Sequence, residues 1–173
     1  MAHIAMVSIP APGHVNPSLE IVRELAARGH RVTYANDVAW AETVREAGAE
    51  LVPYRSTLPF HREDGWDGDA IDALRLFLDD AMAMLPQLRT AYENDRPDLF
   101  LYDIAGSAAW ILATQWGVPA VQLSPTYVAW QGYEEDMRPI TDGWKADPRG
   151  AEYHRTLIDW LVANGMPADE MFM

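Results

Sequence analysis

Short apolar runs alternate with amphipathic stretches through the first half of the chain. His3 to Val7 reads as a strand. Pro17 to Arg28 reads as a helix with the stripe Leu19, Val22, Leu25 and Ala26, stopped by Gly29. Arg31 to Ala35 is a second strand, Ala39 to Ala47 a short helix closed by Gly48, and Glu50 to Pro53 a third strand. From Ala70 to Asn94, Ile71, Leu74, Leu78, Ala81, Leu85, Leu88 and Tyr92 recur at helical spacing. Met82 and Met84 add gap-filling bulk on a face that either packs in the core or touches a ligand, core packing being the plainer reading, and Pro86 is expected to bend or interrupt this helix near Met82. Asp98 to Tyr102 is nearly all apolar, as a strand buried on both faces must be. A helix from Gly106 to Trp116, a strand from Ala120 to Leu123 and a last helix from Ala151 to Asn164 follow. Thr141 to Arg149 reads as loop, Glu134 to Asp136 as a solvated acidic run, and Met166 to Met173 as no element.

Strands separated by amphipathic helices define an α/β protein with right-handed crossovers, a Rossmann-like open parallel sheet with helices on both faces. Three strands, one long crossover and two more strands give the order 3-2-1-4-5. The chain winds away in opposite directions from strands one and four, so a crevice opens at their carboxyl ends, where such sheets bind ligands.

Composition narrows the partners. The chain has 173 residues, enough for one domain with a real core, and 49% of them are apolar, which disfavours disorder. A net charge of −13 disfavours nucleic acid and anionic membranes. There is no cysteine, hence no disulfide framework and no thiol chemistry, which fits a reducing cytoplasm. Ala108 to Leu123 is too short and too broken by polar residues to span a membrane, and the N-terminus lacks the pattern of a signal peptide.

Candidate chemistry centres on Ser8 to Glu20, a Pro- and Gly-rich turn between strand one and helix one. Asn16 suits a helix N-cap and Pro17 the first helical position, which presents His14 at the mouth of the helix. Asp103 ends strand four, so the topology carries both residues to one crevice. An imidazole held by a carboxylate, with no Ser or Cys nucleophile beside it, suits removal of a proton from a substrate hydroxyl. The plainer roles are a solvated or capping His14 and an Asp103 that caps the following helix. The turn lacks the glycine spacing of a dinucleotide site and the Gly-Lys-Ser/Thr of a P-loop. No Gly-x-Ser-x-Gly elbow occurs, and the histidines show no metal-ligand spacing, so no metal is expected. The loop from Arg55 to Asp69 carries Pro59, Phe60, His61 and Trp66, which either line an apolar pocket or tuck onto the core.

Taken together, several motifs resemble the N-terminal half of actinobacterial macrolide glycosyltransferases. They are Ala2-His3-Ile4-Ala5-Met6, the run Gly13 to Glu20, Arg23-Glu24-Leu25 through Gly29 to Ala35, and Ser56-Thr57-Leu58-Pro59. Pro97-Asp98 with Asp103, the run Trp116 to Val121, Leu123-Ser124-Pro125 with Val128-Ala129-Trp130, and Gly132-Tyr133-Glu134-Glu135 complete the set. The resemblance runs to about Trp160. It implies the N-terminal half of a GT-B fold and an inverting transfer of sugar from a UDP- or dTDP-linked donor to a hydroxyl of a macrolide or similar polyketide. It places the general base on His14, its carboxylate partner on Asp103, and acceptor contacts on Pro59, Phe60, Thr126 and Tyr127. Such enzymes are more than twice this length, and their His-x-Gly diphosphate motif is not found here. Residues 1–173 are therefore expected to be a single, shortened acceptor-binding domain without the C-terminal donor domain, and inactive alone. The alternative is a non-catalytic small-molecule binding module, or a half-protein that pairs with a separate donor-domain chain.

Overall fold

A computed structural model of the chain describes residues 1–59, 68–124 and 130–167. Five parallel strands form one sheet in the order β3-β2-β1-β4-β5: β1 His3–Val7, β2 Arg31–Asn36, β3 Glu50–Pro53, β4 Leu99–Asp103 and β5 Ala120–Leu123. This is the order expected from the crossover pattern. β1 and β4 lie side by side, with Val7 opposite Tyr102, so the reversal of winding falls between them.

Strand alternation divides the core into two layers. Ile4 and Met6 of β1 face one side and pack with Val32, Tyr34, Leu101 and the buried stripe Val15, Leu19 and Val22 of α1 (Pro12–Ala27). Val44 of α2 (Ala41–Glu46) joins them. Ala5 and Val7 face the other side and pack with Phe100, Tyr102 and the buried faces of α3 (Ala70–Tyr92) and α4 (Ser107–Trp116). The ring of Tyr92 meets Phe100 edge-on at 5.7 Å, and its hydroxyl lies 3.1 Å from Thr33 Oγ1.

The structure corrects the expected course of two helices. Helix α1 begins at Pro12, five residues before the expected start. The carbonyl of Ala11 accepts the amides of His14 and Val15, both at 2.9 Å, and Val15 extends the apolar stripe by another turn. Pro12 fills the first helical position as well as Pro17 would. Asn16 is therefore inside the helix and not its cap, and Pro17 is a second, interior proline. Helix α3 runs unbroken past Pro86, because its buried residues Leu78, Ala81, Met84, Leu85 and Leu88 hold both sides of the proline against the sheet.

The segment expected to be loop is mostly helix. Tyr133–Ala146 forms α5, whose first turn contains Glu134, Glu135 and Asp136, where carboxylates complement the positive end of the helix. Asp136 also accepts the Trp130 Nε1 proton at 2.9 Å. Helix α6 then spans Pro148–Ala163, starting three residues early because Asp147 caps it and Pro148 opens it. At Gly150 the backbone of α6 touches that of α5: a Cβ there would lie 1.9 Å from the carbonyl oxygen of Trp144.

Leu157 and Leu161 seat α6 on α3. At the helix starts Arg149 reaches Asp69 at 2.7 Å, Asp72 at 3.1 Å and Asp147 at 3.0 Å. These pairs are exposed and each stabilises little, but together they fix the register of α6 over α3.

Burial of tyrosines sets an alkaline limit. Desolvation raises the phenols of Tyr34 and Tyr102 from 10.0 to about 12, and those of Tyr54 and Tyr92 further up. The unfolded chain ionises first, so this stability is complete below pH 10 and is lost as pH rises through about 12. Thermal melts are expected to fall steeply over that window, and less steeply in Tyr34→Phe. A melting temperature that stays flat to pH 12 contradicts the burial of these hydroxyls.

Candidate active site

The β1–α1 turn is fixed from below by a buried polar network. Tyr34 Oη lies 2.8 Å from Ser8 Oγ and 2.7 Å from Ser18 Oγ, and Ser18 donates to the Val15 carbonyl at 2.8 Å. Asn36 donates to the Ser8 carbonyl at 3.0 Å and to Ser8 Oγ at 2.9 Å, and Tyr54 donates to the same carbonyl at 3.0 Å. Each of these side chains is buried. The first turn of α1, with its third residue His14, is thereby held at a set height above the sheet edge.

Asp103 is the last residue of β4 and lies directly under that turn. Its Oδ2 meets His14 Nδ1, joining residues 89 apart in sequence. Asp103 is 2% exposed, whereas the His14 side chain is 23% exposed. Desolvation is the main influence on the Asp103 carboxyl and pushes it above the ordinary carboxylate range. His14 and the amides of Gly106 and Ala105 oppose that rise. No hydrogen bond of good geometry reaches Oδ1, which has no other partner among the described residues. Gly106 makes this turn possible: a Cβ there would come within 2.9 Å of the Val7 carbonyl and 3.1 Å of Asp103 Oδ1.

With Nδ1 committed to Asp103, Nε2 is the nitrogen left to meet a ligand. His14 lines two cavities. One, of about 330 Å³, lies on the α3–α6 side and is walled by Leu74, Phe77, Leu78, Ala81, Tyr153, Leu157 and Trp160, with Ile104, Ala105, Ser107 and Gln122 at the sheet edge. The other, of about 210 Å³, lies on the α1 side among Pro17, Ser18, Ile21, Asp103, Gln122, Leu123 and Ser124. A mostly apolar chamber lined in part by an imidazole suits an apolar molecule carrying a hydroxyl.

Of the residues expected from the sequence, the structure brings His14 and Asp103 together. Pro59 is half-buried and is not among the residues lining either cavity. Phe60, Thr126 and Tyr127 lie outside the described residues. Among the described residues, the wall of the larger cavity comes mainly from α3 and α6. Asp80 was also missed. It is buried, and its Oδ1 accepts from Ser56 Oγ at 2.8 Å, Thr57 N at 2.5 Å and Thr57 Oγ1 at 3.0 Å, tying the segment after β3 to α3. Its spacing held the signal: an acid four residues from both Leu76 and Met84 sits on the helix's inner face.

The five-stranded parallel sheet in the order 3-2-1-4-5, with helices around it, matches the N-terminal half of GT-B glycosyltransferases. The chain is homologous to antibiotic glycosyltransferases of that fold. It is 51% identical over 168 residues to the oleandomycin glycosyltransferase of Streptomyces antibioticus, covering 95% of this chain and 39% of that protein. It is 37% identical over 142 residues to the demethyllactenocin mycarosyltransferase of Streptomyces fradiae, covering 75% and 30%. Among solved structures, the glycotransferase of kitacinnamycin superposes with a TM-score of 0.87 at 54% identity, over 96% of this chain and 41% of that one. A calicheamicin glycosyltransferase superposes with a TM-score of 0.79 at 29% identity, over 96% and 43%. The chain thus spans between 30% and 43% of the length of these relatives. No protein-family model matches it. No helix among the described residues is long and apolar enough to cross a membrane.

Proposed function

We propose that this chain is the acceptor-binding half of an inverting glycosyltransferase, and that the whole protein moves a sugar from a nucleoside diphosphate donor to a hydroxyl of a macrolide-like molecule. The contact between Asp103 and His14, which lines an apolar cavity, carries this reading. The acceptor's apolar body fills the chamber between α3 and α6, and its hydroxyl meets His14 Nε2. As the hydroxyl oxygen bonds to the anomeric carbon, its proton passes to Nε2. The anomeric carbon–oxygen bond to the diphosphate breaks, the leaving oxygen keeps the electron pair, and configuration inverts. Asp103 stabilises the imidazolium as it forms.

The donor's nucleotide, UDP or dTDP, is assigned to a C-terminal domain in the same polypeptide or in a paired chain. The protein works in the cytoplasm, where nucleotide sugars are made. The relatives' names support the acceptor class: oleandomycin in one, demethyllactenocin in another.

Titration of the chain with oleandomycin, followed by amide and methyl NMR, tests the acceptor site. Shifts at Leu74, Leu78, Ala81 and Leu157 are expected, without turnover. Saturable binding that leaves these residues unmoved, or no binding, overturns it.

A further inference from the structure

Gln122 carries a carboxamide that the fold does not use. It is exposed, and no hydrogen bond from its side chain is found among the described residues. Yet it lines both cavities, a place it shares only with His14 among the described lining residues. The strand register explains this. Gln122 pairs with Tyr102, the residue before Asp103, so it stands on the strand next to the one that carries the carboxylate holding His14. The larger cavity is otherwise walled mainly by apolar side chains. An amide placed there has both a donor and an acceptor to offer a substrate.

We propose that Gln122 is a substrate-reading residue. It hydrogen-bonds an oxygen on the carbon next to, or one beyond, the carbon whose hydroxyl is delivered to His14. The preferred acceptor edge is then a vicinal or near-vicinal pair of oxygens on an otherwise apolar ring, and Gln122 selects which hydroxyl reacts. A hydroxyl, ether or ketone each satisfies one half of the amide. This inference rests on the acceptor-site reading above.

Two small probes separate the ideas: cyclooctanol and the vicinal cis-cyclooctanediol, both small enough for a cavity of about 330 Å³. The diol is the more polar, so apolar burial alone makes it the weaker ligand. With Gln122 present it is expected to bind the chain about three- to tenfold more tightly than the mono-alcohol, the effect of one added hydrogen bond. Gln122→Leu and Gln122→Ala are expected to reverse that order, the mono-alcohol then binding more tightly than the diol. Two results overturn the role of Gln122 and leave the acceptor site standing: a native chain that prefers the mono-alcohol, or a diol preference that survives both substitutions. If neither probe binds, the acceptor site itself fails, and this inference with it.

Discussion

His14→Ala, made in a protein that joins this chain to its donor-binding half, lowers kcat by about 10²- to 10⁴-fold, the range a positioned general base supplies. Acceptor affinity changes little, because among the described residues most of the larger cavity's wall comes from α3 and α6. The effect therefore falls on kcat, not KM, and a more acidic acceptor such as a phenol loses less than an aliphatic alcohol. Stability is expected to hold, since the His14 side chain is partly exposed and its absence leaves the network of Ser8, Ser18 and Tyr34 intact. Steady-state kinetics on an aliphatic alcohol check this. A variant that keeps its rate removes His14 from the chemistry.

Asp103→Asn has the second large effect, and for a different reason. The carboxylate is acceptor-only, so it fixes the proton of a neutral His14 on Nδ1 and leaves Nε2 bare. An asparagine that turns its amide N–H toward Nδ1 places the imidazole proton on Nε2, where it can no longer take one from the acceptor. A loss of about 10²- to 10⁴-fold in kcat is expected, with acceptor KM nearly unchanged. The variant should fold, because it removes a buried charge that desolvation already disfavours. A loss confined to KM contradicts the role given to Asp103.

Much of the architecture was legible in the residues. The alternation of Ile4 and Met6 with Ala5 and Val7 marks a strand with a helix layer on each side. The long crossover through α3 dictates that β4 joins β1, and that join brings His14 to Asp103. The helix start at Pro12 was not legible, because Pro12 and Pro17 are equivalent signals and only the burial of Val15 chooses between them. The cavity wall was hidden for a related reason. An apolar stripe such as Leu74, Leu78 and Ala81 looks the same whether it faces a packed core or a space left for a ligand. Phe77, which is 39% exposed, and Trp160 acquire their place in the wall only once α6 is laid over α3. Helix α5 escaped because Glu134 to Asp136 reads as a solvated acidic run and Thr141 to Arg149 as loop, while acids in a first turn are also a favourable helix start.

The tautomer of His14 is the most direct test of the central claim, and nitrogen NMR of the labelled chain reads it without need of donor or acceptor. In the neutral imidazole, a proton on Nδ1 and a bare Nε2 are predicted, with the Nδ1 proton shifted downfield by its bond to Asp103 and lost from that position in Asp103→Asn. A neutral ring carrying its proton on Nε2 in the native chain contradicts the account.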